Sequence, residues 1–236
     1  MSVRIDYLGH SGFFVETDRV MLLFDYFRGD LTFISERTED KRLFVFASHA
    51  HRDHFNPEIF SVRDLHEDTE YLLSFDIEGD PSVPQDFRVR YLEADMTYDI
   101  EGLGTVSTLR STDEGVAFLV MTGEKNLYHA GDLHWWDWPG EDQEWLDEQA
   151  TVFRREIGKL EGTPIDVAFA VLDDRLEDNY AKGMQLFLSV CHPRYVLPMH
   201  FWNDRTVIER FRAIPGALPE GTVMLDTASE TNWEID

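Results

Sequence analysis

The chain has 236 residues, 43% of them hydrophobic and 13% aromatic, enough to bury a sizeable core unaided and far from a disordered composition. Acidic side chains outnumber basic ones 46 to 21, a net charge of −25 at pH 7, and such a surface repels phosphate backbones at long range, which argues against a dedicated nucleic-acid binder. The single cysteine, Cys191, excludes an intrachain disulfide. With no signal-peptide pattern and no apolar run near the roughly 20 residues of a membrane span, the expectations are a cytoplasmic location and no membrane partner.

The first quarter reads as strands joined by tight turns. Val3–Leu8, Phe13–Glu16 and Val20–Asp25 are short apolar or alternating runs, broken by Gly9, Gly12 and Asp18-Arg19. Leu43–Ser48 is a continuous apolar run of the kind found in a central strand covered on both faces. Asn56-Pro57-Glu58 then predicts a helix start: a capping residue, proline at the first helical position and an acid in the first turn. Strand texture returns at Tyr71–Ser74, Arg88–Tyr91, Gly104–Leu109, Gly115–Met121 and Asn126–Ala130. Leu146, Ala150, Phe153, Ile157 and Leu160 share one face of a helix. A strand–helix–strand unit closes the pattern: Asp166–Leu172, Tyr180–Cys191 and Tyr195–His200. There is no repeat, low-complexity run or linker, so residues 1–236 are expected to form a single domain.

The strongest chemical signal follows Ser48: His49-Ala-His51-Arg-Asp53-His54. Imidazole nitrogens and carboxylates are the donors that zinc, iron and manganese accept. Histidines two apart in an extended segment point the same way and can share one ion. Asp53 and His54 then fall where the chain bends and can face a second ion beside the first.

This cluster resembles the metal-binding signature of the metallo-β-lactamase superfamily. The resemblance implies the α+β class and a four-layer αββα sandwich with a metal site at the edge of two packed sheets. Other positions match in order. Asp25 closes Leu22-Leu-Phe-Asp25, where the family keeps an aspartate that steadies the metal loops by accepting ring N–H groups. His129-Ala-Gly131-Asp132 resembles the strand-then-Gly-Asp element whose aspartate bridges two metals. Pro198-Met199-His200-Phe201 resembles the final histidine ligand.

One departure stands out. The family usually supplies another histidine between the cluster and the Gly-Asp element, but Leu109–Phe118 contains none. Asp113 or Glu114 is the expected oxygen substitute, Asp113 foremost, with a plain turn carboxylate or a histidine arriving from elsewhere in the chain as alternatives; otherwise the first site is weak and the protein holds one tight ion. Oxygen in place of nitrogen moves the preference towards harder ions, so zinc, manganese and iron all stay open, as one or two divalent ions. His10, in Leu8-Gly-His-Ser-Gly-Phe13, resembles the Gly-His-Ser element of the ascorbate-phosphate lactonase-like branch and is expected to line the metal pocket or orient substrate, a turn histidine being the plain alternative. His129 reads as a buried hydrogen-bonding residue. His134 is a candidate proton donor to a leaving group. Trp135, Trp136, Trp138 and Trp202 read first as core and second as an apolar wall of the pocket. Arg175 reads as a surface ion pair or a rim cation for an anionic substrate.

The expected chemistry is water activation, with Asp53 orienting the attacking water. It serves lactones, amides, thioesters and phosphodiesters alike, so it does not pick the substrate. The leading expectation is a hydrolase of small anionic metabolites. A nucleic-acid phosphodiesterase and a catalytically reduced metal-binding protein are the alternatives.

Overall fold

The computed structural model describes residues 2–37 and 40–236. Six strands come first: β1 (Val3–Gly9), β2 (Gly12–Glu16), β3 (Val20–Phe24), β4 (Arg42–Ala47), β5 (Thr69–Ser74) and β6 (Val89–Leu92). Eight more follow: β7 (Thr97–Ile100), β8 (Gly104–Arg110), β9 (Val116–Met121), β10 (Asn126–His129), β11 (Val167–Val171), β12 (Tyr195–Met199), β13 (Val223–Met224) and β14 (Asn232–Ile235). The α-helices among the described residues are α1 (Val62–Leu65), α2 (Gln143–Gly158), α3 (Lys182–Cys191) and α4 (Val207–Arg212).

The strands form two seven-stranded sheets, ordered β14-β1-β2-β3-β4-β5-β6 and β13-β12-β11-β10-β9-β8-β7. Pairing is parallel from β3 to β6 in the first sheet and from β10 to β13 in the second. Period-two alternation decides which side chain enters which layer. Phe13, Val15, Leu22, Phe24, Phe44 and Phe46 face the second sheet and share a buried cluster with Phe118, Val120 and Phe169. Their chain neighbours Phe14, Met21, Leu23, Leu43 and Val45 face outwards, under Ile34, Ile59, Phe60 and Val62 of short helical turns. On the far side of the second sheet, α2 and α3 bury Phe153, Ile157, Met184, Phe187 and Leu188. Helical turns, sheet, sheet, helices: this is the four-layer αββα order.

The differences from expectation have local causes. Asn56 does cap, its Oδ1 accepting from Glu58 N at 2.9 Å, but what it caps is a 3-10 turn, Pro57–Ser61, leading into the single turn of α1. Helix α2 begins earlier than its apolar stripe because Asp142 accepts from Glu144 N and starts it. Strands β7, β13 and β14, all at sheet edges, escaped the sequence reading. Half-covered edge strands carry too few buried residues to show a pattern.

The parallel strands bring the chemistry together. Asp25 and His49 follow the carboxyl ends of β3 and β4, while Asp132, Asp173 and His200 follow those of β10, β11 and β12. Crevices outside the carboxyl ends of parallel strands are where such sheets bind ligands.

Candidate metal centre

The site starts from Ser48, the pivot between β4 and the histidine cluster. Its carbonyl accepts from Val116 N at 2.9 Å, tying the cluster to the start of β9. Two glycines permit that approach. A Cβ on Gly115 would stand 2.0 Å from Ser48 O, and one on Gly131 would stand 2.6 Å from Ser48 Cβ. Both glycines also have positive φ, which other residues adopt only under strain. The chain then tightens, with His54 N and Phe55 N both donating to His51 O; His49 and His54 are buried, Asp53 is partly exposed and His51 is half-exposed at the rim.

Asp132 organises what they meet. Its Oδ1 lies 3.1 Å from His54 Nε2 and 3.3 Å from His200 Nε2, while its Oδ2 lies 3.6 Å from His49 Nε2. His49 Nε2 is 3.0 Å from His51 Nδ1, and Asp113 Oδ2 is 3.8 Å from that same Nδ1. Two donor groups result, each with ligand atoms within 4.8 Å of one another: His49, His51, Asp113 and Asp132, and His10, Asp53, His54 and His200. The Oδ1 of Asp132 sits beside the second group and its Oδ2 beside the first, the arrangement of a bridging carboxylate.

Buried carboxylates hold these rings. Asp25, fully buried at φ 41°, accepts from Ser48 N at 2.8 Å, from Ser48 Oγ at 2.6 Å and from His54 Nδ1 at 2.7 Å. Burial opposes its ionisation, but His129, His54 and Ser48 hold its pKa below the usual carboxylate range. Asp173 accepts from His200 Nδ1 at 2.9 Å and pairs with Arg175 Nε and Nη2. Those two partners outweigh burial and draw its pKa down to about 2. Sequence reading gave Asp173 no role; its place at the end of a buried strand, beside the strand that carries His200, was the available signal. Glu114 Oε2 lies 3.5 Å from His51 Nε2, so Glu114 faces the far side of that ring while Asp113 stands with the donor group.

Burial pushes His10 and His49 down to about 4, leaving both as neutral imidazoles, the form that ligates metals. Asp53 is held below the normal range: burial works against it, and His10 and His54 overcome that. His129 is also lowered by burial; its Nε2 donates to Ser11 O at 2.9 Å and its Nδ1 accepts from Gly131 N, as a buried hydrogen-bonding residue should.

Above the donors opens a cavity of about 380 Å³ lined by His51, Asp53, Asp113, Asp132 and His200 together with Thr112, Gln149, Arg175 and four indoles, Trp136, Trp138, Trp145 and Trp202. Arg175 lies over the rings of Trp138 and Trp202, at 5.2 and 5.1 Å. Trp136, Trp138 and Trp202 thus form walls of the pocket, Trp136 while also buried in the core and Trp138 while packed against it, whereas Trp135 packs beneath Arg154. Trp145 and Gln149, four residues apart on α2, were not foreseen, because a helix stripe read for its apolar face hides what its flank lines.

His134 departs from its predicted role. Its ring is buried between Trp136, Phe153 and Gly183 and borders a separate small cavity under α3, so it faces away from the pocket that holds Asp53. Burial lowers its pKa to about 4, which leaves it without the proton that the donor role needs. His10 is the converse. Expected to line the pocket, it brings its Nε2 into the second donor group.

A divalent ion fits these residues on a specific observation. His54 Nε2, His10 Nε2 and Asp132 Oδ1 are buried and make no hydrogen bond among the described residues, although donors and acceptors crowd around them at about 3 Å. Nitrogen and oxygen lone pairs converging without protons between them are what a cation satisfies. His54 points the same way: despite burial, Asp132 and Asp25 on either side push its pKa well up, so the spot favours positive charge.

Comparison with known proteins identifies the family. A family model described as "Beta-lactamase superfamily domain" matches residues 4–138. A UPF0173 metal-dependent hydrolase of Opitutus terrae is 28% identical over 212 residues, covering 84% of this chain and 85% of that protein. A second UPF0173 metal-dependent hydrolase, from Nanoarchaeum equitans, is 26% identical over 218 residues, with 84% of each chain covered. Among solved structures, Igni18, a metallo hydrolase of Ignicoccus hospitalis, superposes with a TM-score of 0.68 at 17% identity over 100% of this chain and 99% of its own. The metallo-β-lactamase fold protein YhfI of Bacillus subtilis does so at 0.65 and 12%, over 99% of both chains. With more than half of its length matched by the family model and the αββα sandwich in place, the chain belongs to the metallo-β-lactamase superfamily.

Proposed function

We propose that this protein is a metal-dependent hydrolase that directs an activated water at an ester, lactone or phosphoester bond of a small anionic metabolite. The observation that carries the reading is the carboxylate of Asp132, which turns one oxygen to each of two buried donor groups beneath a single open pocket. His49, His51, Asp113 and Asp132 would hold one divalent ion, and Asp53, His54, His200 and Asp132 the other, with zinc, manganese and iron as the candidates. When bound, such an ion would polarise the substrate's oxygen and lower the pKa of water to about 7.

The chain's own side chains do the rest. Asp53, partly open to the pocket and held ionised, accepts a hydrogen bond from the attacking water and aims it. Arg175, locked by Asp173 and flanked by two indoles, is the cationic side chain lining the pocket and receives the substrate's anionic group. Trp136, Trp138, Trp145 and Trp202 take up its apolar part; Trp145 and Trp202 are 36% and 41% exposed, an unusual cost for indoles unless a ligand covers them. The relatives from Opitutus terrae and Nanoarchaeum equitans carry the name metal-dependent hydrolase, which supports the same reading. We further propose that residues 1–236 act as one domain, since one buried cluster draws on residues from Val3 to Ile235.

The test is metal content by mass spectrometry, followed by turnover on a panel of lactones, phosphodiesters and thioesters before and after chelation. Loss of turnover on chelation and its return with added divalent ion are expected. Full turnover in the stripped protein overturns the proposal.

A further inference from the structure

The two donor groups are unequal. In the first, His49 and Asp132 are buried, but the side chains of His51 and Asp113 are 47% and 46% exposed. In the second, His10, His54 and His200 are buried and Asp53 alone is partly exposed. Counting Asp132 in both, the first offers two nitrogens and two oxygens, the second three nitrogens and two oxygens.

His10 makes the difference. It stands in the turn between β1 and β2 at φ 54°, and its carbonyl accepts from His200 N at 3.1 Å, so the two histidines are tied through the backbone. Its Nε2 is 3.1 Å from Asp53 Oδ2 without forming an aligned hydrogen bond, and its ring lies 4.3 Å from that of His200 and 5.4 Å from that of His54. Donors each about 2.1 Å from one ion stand roughly 3 to 4 Å apart, and the spacings of 3.1 and 3.3 Å seen here suit that. Among the described residues, four of the seven non-glycine residues with positive φ (His10, Asp25, His200 and Trp202) gather at this position. Backbone strain of this kind persists where the surroundings over-determine it, as at ligand clamps.

We propose that His10 is a direct metal ligand, completing a five-donor position with Asp53, His54, Asp132 and His200. That position holds its ion tightly, while the half-exposed position of His49, His51 and Asp113 exchanges readily. The purified protein therefore carries about one ion, at the position built with His10. This rests on the metal-dependent reading and adds a ligand and an order of loading to it.

The experiment loads stripped protein with one equivalent of cobalt(II) and records the paramagnetically shifted imidazole N–H resonances, with dissociation constants measured by chelator competition. Three shifted N–H signals, from His10, His54 and His200, are expected in the native sequence and two in His10→Gln, with affinity for the first ion lowered at least about 100-fold. Asp113→Ala keeps all three signals and the tight ion. Two signals in the native sequence overturn the proposal, as do affinity in His10→Gln within threefold of native or loss of the tight ion in Asp113→Ala. The native-sequence spectrum is decisive even if His10→Gln does not fold. A native protein that binds no ion at all removes the proposed function itself, a result distinct from any of these.

Discussion

Asp173 accepts a hydrogen bond from Nδ1 of His200 at 2.9 Å, which turns the opposite nitrogen, Nε2, to within 3.3 Å of Asp132. A carboxylate behind a ligating imidazole fixes both its tautomer and its aim, and losing such a support costs about 10- to 100-fold in metal affinity. Asp173→Asn should therefore weaken ion binding by that factor, measured by chelator competition. Because Asp173 also anchors Arg175, the apparent KM for an anionic substrate should rise as well. Unchanged affinity would mean that the pair does not orient His200.

We propose that Asp113 takes the place of the histidine that the family resemblance leads one to expect in the first donor group. Replacing its oxygen with nitrogen, as Asp113→His, should shift retained metal towards zinc. In an equimolar zinc and manganese mixture the bound zinc-to-manganese ratio should rise by on the order of tenfold, read by mass spectrometry. No shift would place Asp113 outside the donor set.

Ion binding should also stabilise the fold. The buried imidazoles and carboxylates at the ends of β3, β4, β10, β11 and β12 belong to both sheets, so a shared ion ties the sheets together. At free ion about 100 times its dissociation constant the gain is about 2.7 kcal/mol. For a chain of this size that corresponds to a Tm lower by roughly 5–10 °C after chelation. Differential scanning calorimetry with and without chelator checks it.

Gly131→Ala tests the close approach beneath Asp132. The added carbon would meet Ser48 Cβ at 2.6 Å and Val116 O at 2.9 Å, at a φ of 51°. A loss of at least about 2 kcal/mol is expected in urea unfolding, accompanied by weaker metal binding, because Asp132 must move with it. Gly140→Ala, also at positive φ but with open space around it, should cost less and leave the metal in place.

Cys191 sets a pH dependence away from the site. Burial on α3 pushes its thiol up to about 12, against about 8.5 in an unfolded chain. Between those values the unfolded chain has released the proton and the folded one keeps it, so unfolding gains as pH rises. The stabilisation is complete below about pH 8.5 and falls by up to about 1.4 kcal/mol per pH unit above it. Urea titrations from pH 8.5 to 10 should show the native sequence losing about 2 kcal/mol more than Cys191→Ala. Parallel curves would contradict a buried thiol.

Much of this was legible in the residues themselves. The short apolar or alternating runs of β1 to β3 and the continuous runs of β4, β11 and β12 announced buried strands, because half-covered strands alternate and doubly covered ones stay apolar throughout. The His49–His54 cluster announced a metal site, because so many donors crowd into one short bend. Edge strands β7, β13 and β14 left no comparable mark, since half-covered strands need few apolar side chains. The family resemblance also named Asp25, Asp132 and His200 as partners of the cluster. The division of labour among the remaining residues belongs to the tertiary structure alone. His134 and His10 are both single histidines in loops. Packing under α3 turns one away from the pocket, and a strained turn beside β12 brings the other to His54 and His200. A sequence specifies which donors exist and which strands carry them. Where a loop side chain points is decided by contacts with segments far away in the chain, which exist only once the two sheets have packed.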